Sequence, residues 1–334
     1  MKSLAWGAAV VSLLALIALA FSIGSFAVAP ADVLAILWSS IAGGAHAAPP
    51  NAEAVVLSIR GPRILAALLV GAALAGAGSA YQSVFRNPLV APDILGVSSG
   101  AALGALLGIW FSLDPWSVHL LAFAGGLGAV ALVYALAAAY RQHDPLLLLV
   151  LAGVVLGSLF AALIALIKVL ADPFNQLPGM TYWLLGSLAA VTPDESLAIL
   201  PAIGIGLGVL WLLRWRINVL SMGDEEARSL GVDTRRVRLA AIVAATLATA
   251  AAVSISGVIG WVGLVVPHLA RMITGPDNSR LLPAACLLGA AFMLAVDTLA
   301  RGWGQTELPL GVLTALIGTP LFLWLLATSR RGWQ

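Results

Sequence analysis

From Ser3 to Ala31 the chain carries no ionisable side chain, and comparable apolar runs recur at about 64–85, 94–113, 116–140, 146–167, 196–213, 281–300 and 308–328. Roughly 20 apolar residues are needed to cross the hydrocarbon core as a helix. In that medium every backbone N–H and C=O must be bonded internally, which a helix does within one segment. The chain therefore reads as an all-α membrane protein, a polytopic bundle. Its surface leaves no other choice. Only 10% of the 334 residues are charged, whereas a soluble domain needs about 25%.

The same scarcity excludes several functions. A nucleic-acid binder shows a basic soluble face, and none is present. The only lysines are Lys2 and Lys168, neither preceded by glycine, so no phosphate-binding P-loop can form. No cluster of His, Cys, Asp or Glu has metal-ligand spacing, so neither a metal site nor a cofactor is expected. The four histidines His46, His119, His143 and His268 are dispersed. His119 and His268 could touch a metal-containing substrate, but packed or interfacial histidine is the expected state. Cys286, the one cysteine, has no intrachain partner.

Lys2 and the Ala27-Val28-Ala29 stretch imitate a cleavable leader. A leader's apolar region is only about 7–15 residues long, so a retained first span is expected. Residues 173–193 are uncharged until their end but hold Pro173, Pro178, Gly179, Gly186 and Pro193. Such a segment is expected as a short outer-side helix at about 180–190, packed in protein. Residues 239–270 are long for one span and short for two, with interruptions at 254–257 and at Pro267.

Basic residues concentrate on the cytoplasmic side. If 239–270 crosses twice there are ten spans with both termini inside, and only Arg60, Arg63, Lys168 and Arg301 of the 17 Lys+Arg lie outside. A single crossing would leave seven outside. The ten-span arrangement is therefore expected, with the second crossing short and broken as where backbone lines a cavity. Residues 1–334 form one transmembrane domain in this reading.

Gly96, Gly100, Gly104 and Gly108 recur every fourth residue, which predicts a glycine face allowing close helix contact. Asp32–Trp38 is expected to lie at the outer interface as a short amphipathic helix. Asp297 and Arg301 stand four apart and are expected to neutralise each other.

The longest polar interruption is Arg214–Arg238, with six Lys+Arg and four Asp+Glu residues. It is expected to be a cytoplasmic loop. Within it Gly223 and Gly231 bracket Asp224, Glu225, Glu226, Ala227, Arg228 and Leu230. Acids in the first turn and glycine after the last predict a short capped helix with Ala227 and Leu230 on one side. Such a helix can seat in a partner's groove and transmit motion.

Several motifs together resemble the FecCD-type permeases of type II ABC importers. They are Arg60-Gly61-Pro62-Arg63, Gly71–Gly76, Gln82, and Asn87-Pro88-Leu89-Val90-Ala91-Pro92-Asp93 continuing to Ala101. Further on come Leu151–Val154, Trp183–Ser187, Gly223–Gly231, Ser256–His268 and Glu307–Gly311. The resemblance covers about residues 55–327. It implies ten helices per subunit, a second copy of the chain, two copies of a separate ATPase subunit and a periplasmic substrate-binding protein. It implies that Arg60, Arg63 and Arg301 face acidic residues of that binding protein, and that Gly223–Gly231 couples to the ATPase. Gln82, Asn87, Pro88 and the four glycines would serve packing or the pathway. The implied function is uptake of an iron chelate, a ferric siderophore or heme, with cobalamin as the alternative within the family. The chain itself would be no enzyme. An ion-coupled carrier is the alternative from another class, but it needs buried carboxylates or a broken-helix ion site. Leu146–Leu149 is wholly apolar where some of the family carry small polar gate residues, so a hydrophobic constriction is possible there.

Overall fold

The computed structural model describes residues 2–24, 26, 28–43, 49–139, 145–302 and 307–329. Ala27, His46, Arg141, His143, Arg330 and Arg331 lie outside these. The described residues contain helices and no strand. In order they are α1 (Lys2–Ser22), α2 (Pro30–Ala42), α3 (Pro50–Ala54), α4 (Gly61–Val84), α5 (Val97–Trp110), α6 (Pro115–Ala139) and α7 (Pro145–Leu170). They continue with α8 (Leu177–Leu185), α9 (Pro193–Met222), α10 (Asp224–Ser229), α11 (Thr234–Ser256), α12 (Val262–Thr274), α13 (Asn278–Gly302) and α14 (Leu310–Ser329). A π-helical stretch, Val55–Arg60, joins α3 to α4 without a break, and a 3₁₀ turn, Pro92–Leu95, precedes α5.

Six helices among the described residues are long and apolar enough to cross a membrane, and four shorter apolar helices accompany them. The four are α1, α5, α12 and α14, which fall on expected spans. The expected ten therefore match in position, with the helix at 239–270 divided in two. The break falls at Gly257–Trp261. Pro267, expected as an interruption, lies inside α12. The stop comes from Gly257, whose φ of +67° a helix cannot continue through.

α4 is the axis of the bundle and is buried along nearly its whole length. A helix apolar all round belongs inside. Its small residues decide how near its neighbours come. A Cβ on Gly71 would collide with the Gly289 carbonyl of α13, and one on Gly78 with the Gly263 carbonyl of α12. α5 and α6 meet in the same way at Gly100 against Gly125, Gly104 against Leu121 and Gly108 against Val118. The expected glycine face is thus three residues long. Gly96 does not share it: it sits before α5 with φ +77°, closing the 3₁₀ turn.

The expected loop 214–238 is mostly helix. α9 runs on to Met222, carrying Arg214 and Arg216, and α11 begins at Thr234. No helix breaker occurs before Gly223, and charged side chains are compatible with a helix that protrudes into water. Only Gly223–Asp233 lies between the two. α9 starts with a complete capping box, Thr192 with Glu195, ahead of Pro193 at the first helical position. The short helix expected at 180–190 is α8, slightly earlier, ended by Gly186 at φ +72°. α2 buries Val33 and Ile36 and exposes Leu34 and Trp38, which suits a helix lying at an interface.

Candidate functional site

Three features stand out: the short helix α10, a cavity beside α14, and an ionic cluster at the opposite end of α9 from α10. α10 begins after Gly223, at φ +138°, with Asp224, Glu225 and Glu226 in its first turn. Its C-terminal end is a Schellman arrangement. The Val232 N–H donates to the Ala227 carbonyl at 2.9 Å, and the Gly231 N–H to the Arg228 carbonyl at 2.9 Å, with Gly231 at φ +77°. One side of α10 is tied down. Ala227 is buried, and Arg238 of α11 donates from Nη2 to both Asp224 oxygens at 2.8 and 2.9 Å. Arg228 lies 3.9 Å from the same carboxylate. The other side is open: Leu230 is 56% and Met222 66% exposed, beside exposed Glu225 and Glu226. Ala227 and Leu230 therefore do not share a side as expected. Ala227 anchors, and Leu230 projects.

Three of the quoted motifs converge on one place. The Ser187 N–H donates to the Ser256 carbonyl at 2.8 Å and the Leu310 N–H to the Gly186 carbonyl at 2.8 Å. These bonds join the stretches 183–187, 256–261 and 308–311. Beside them lies a cavity of about 740 Å³, walled by Leu184, Leu185, Val258, Trp261, Val312 and Leu316 among others. Trp261 has φ +72°, a conformation costly for a bulky residue. Its ring meets Phe322 edge-on at 6.1 Å, and its Cβ occupies the space a side chain at Gly318 would need. Strain of this kind tends to gather at functional sites. A left-handed tryptophan has no sequence signature, and the backbone of Trp261 shows only in the fold. The wall is apolar apart from Thr319 and backbone.

The ionic cluster centres on Asp297, which is wholly buried. Arg63 donates from Nε to Asp297 Oδ1 at 2.8 Å, and Arg301 Nε lies 3.1 Å from Oδ2. Arg63 Nη1 also reaches the half-exposed Glu307 at 2.8 Å. The expected Asp297–Arg301 pair exists, but Arg63 is the nearer partner. Arg60 and Arg301 have a further task. Arg60 donates to the carbonyls of Phe21 and Phe26, and Arg301 to those of Ala20 and Ile23 at 3.2 and 3.4 Å. A helix leaves its last four carbonyls unpaired, and α1 has no basic residue in its own last turn. Two guanidiniums from elsewhere satisfy it. All three arginines are buried and bonded within the chain.

The remaining expected residues are structural in position. Gln82 donates from Nε2 to the Leu264 carbonyl at 3.1 Å. The Asn87 carboxamide accepts from the Leu89 N–H at 2.9 Å, turning the chain at Pro88. His119 is fully engaged, with Nδ1 2.7 Å from the Ser254 carbonyl and Nε2 3.0 Å from Glu195. His268 is buried, and its ring nitrogens have no partner among the described residues. No group of three or more potential metal ligands occurs among the described residues.

A family model described as the FecCD transport family matches residues 12–328. The molybdate import system permease protein MolB of Haemophilus influenzae is 39% identical over 314 residues, which is 94% of this chain and 92% of that protein. The hemin transport system permease protein HmuU of Yersinia pestis is 41% identical over 282 residues, covering 82% and 83% of the two chains. A solved structure of a metal-chelate type ABC transporter in an inward-facing conformation superposes with a TM-score of 0.87 at 36% identity, over 98% of this chain and all of that one. On the helix order, the converging motifs and these matches, the chain belongs to the FecCD transport family, the permeases of ABC importers.

Proposed function

We propose that this permease moves a metal chelate, an iron chelate such as a ferric siderophore or heme, from periplasm to cytoplasm, driven by ATP hydrolysed in a separate subunit. The observation that carries the substrate class is the large apolar cavity beside α14. Leu184, Leu185, Val258, Val312 and Leu316 offer dispersion contact to a bulky organic chelate, and few donors to a small hydrated oxyanion. In this reading the chain lies in the inner membrane with both termini in the cytoplasm and pairs with a second copy through the exposed apolar side of α7 and α14. Such a side would face either lipid or protein, and α7 is among the least buried of the long helices. α10 seats in a groove of the ATPase, with Leu230 and Met222 as the apolar contacts and Glu225 and Glu226 as the rim.

A substrate-binding protein docks at the end bearing Arg60, Arg63 and Arg301. Asp297 and Glu307 face Arg63 and Arg301 there, and Arg60, bonded to carbonyls, adds a third positive charge. An acidic residue of that partner would take the place of Glu307 on Arg63.

The test is uptake into proteoliposomes holding the permease, its ATPase and its binding protein. ATP-dependent uptake of heme or a ferric siderophore, with none of molybdate, is expected. Uptake of molybdate alone would move the substrate to that of the Haemophilus relative. Uptake driven by an ion gradient without the ATPase would remove the coupling scheme as well.

A further inference from the structure

A second cavity, about 360 Å³, lies along the seam between α6 and α11, walled by Leu127, Ala131, Tyr134, Leu239 and Val243 among others. His119 at the start of α6 touches Ser254 at the end of α11, and Gly126 faces Ala250, so the two helices run antiparallel. Continued along the seam, that register brings Tyr134 beside Leu239, near the N-terminal end of α11. The rim is open and apolar: Leu239 is 38% and Val243 55% exposed. In a chain that spans a bilayer, such a rim faces acyl chains. From Leu239 to Thr246 the groove extends about 10 Å along the helix.

The seam has a charged end. Arg235 and Arg236 precede Leu239 by one turn, on the same side of α11. Both are exposed. Arg236 is held by Asp233, Nε to Oδ2 at 3.0 Å, whereas Arg235 makes no ion pair among the described residues. An apolar slot walled in part by Tyr134, with Arg235 one helical turn beyond it and free of any ion pair among the described residues, matches one kind of occupant. We propose that the α6–α11 seam binds one acyl chain of an anionic bilayer phospholipid, with its phosphate on Arg235. A guanidinium offers a planar, paired-donor fit to phosphate oxygens, and basic pockets between membrane helices hold anionic headgroups. Free phosphate would leave the groove unfilled, and a zwitterionic lipid would bring its own ammonium to the arginines.

Native mass spectrometry of the delipidated full chain, titrated with phosphatidylglycerol or chain-matched phosphatidylcholine, tests this. Phosphatidylglycerol is expected to bind at least about fivefold more tightly, and Arg235→Gln to remove about that factor. Asp233→Asn keeps a good N-cap for α11 but frees Arg236, so it should tighten phosphatidylglycerol binding severalfold. Ala131→Leu narrows the groove and should weaken both lipids alike. Equal binding of the two lipids, indifference to Arg235→Gln, or indifference to Ala131→Leu would each overturn the proposal. So would disulfide cross-linking of Val243→Cys to a second copy in native membranes, which would make the seam a protein interface.

Discussion

Arg63 and Asp297, 234 residues apart, meet at 2.8 Å with the carboxylate completely out of water. The contact ties α4 to the end of α13, and Arg301 on the other carboxylate oxygen ties both to the end of α1. A buried ion pair contributes little against an apolar substitute of the same shape, but removing one partner strands the others. Asp297→Ala leaves buried Arg301 without its carboxylate and Arg63 with Glu307 alone. It should cost about 3–5 kcal/mol, read as a lowered unfolding midpoint of the purified permease in detergent. Asp297→Asn keeps an acceptor and should cost less.

Glu307 is the exposed member of the same cluster. Glu307→Gln frees a donor of Arg63 without disturbing Asp297. If the binding protein docks here through acidic residues, its affinity for the permease should rise severalfold at low ionic strength, and the gain should shrink with added salt. Surface plasmon resonance at two salt concentrations reads this, and an affinity that does not change would place docking elsewhere.

α10 separates anchoring from contact. Asp224→Ala breaks the bond to Arg238, which lies buried at the base of the helix, and should cost about 1–3 kcal/mol in stability. Leu230→Asp alters only the projecting side. It should leave the unfolding midpoint within about 0.5 kcal/mol of the parent yet abolish most ATP-driven uptake. The pair of measurements distinguishes a docking surface from a merely structural turn.

Gly96 and Gly104 are small for different reasons, and substitution should reveal it. Gly96 needs its positive φ and has room around it, the nearest atom to an added Cβ being Phe160 Cε2 at 4.0 Å. Gly96→Asn should therefore be milder than Gly96→Ala, because asparagine tolerates the left-handed region. Gly104 is helical and abuts the Leu121 carbonyl. There alanine should cost about 1–3 kcal/mol by overpacking, and asparagine more. Thermal midpoints of the four variants give the ordering.

Asp277, between α12 and α13, accepts from the Ser279 N–H at 2.9 Å and from Asn218 Nδ2 at 2.6 Å. The Ser279 N–H first, then Asn218, favour the charged carboxylate and hold its pKa below the ordinary value. The stabilisation is thus present above the unfolded-state pKa, near neutral pH, and is lost as pH falls through the lower folded-state value. Unfolding midpoints of the parent should drop more steeply below about pH 4 than those of Asp277→Asn, which has no carboxylate to protonate.

Much of this protein was legible in its residues taken in order. Apolar runs of spanning length identify helices because lipid allows no unpaired backbone, and all ten expected positions carry a helix. Gly223, the three acids and Gly231 announce α10 because caps act over four or five residues. Where the controlling contact is distant, sequence order was silent. The loop 214–238 shrank to Gly223–Asp233 because charge marks where a chain meets water, not where a helix stops. Gly96 fell off the glycine face because periodicity cannot distinguish a turn glycine from a packing one. Arg60, Arg63 and Arg301 looked like outward charges, and only the folded bundle shows them turned inward. The carbonyls at the end of α1 wait there, 39 residues from Arg60 and 281 from Arg301, and the Asp297 carboxylate lies 234 from Arg63; an unsatisfied group out of water costs more than a surface charge can recover. Tertiary structure also set Trp261 in its left-handed turn and brought three separate motifs to one cavity, a matter of helix packing that no local pattern encodes.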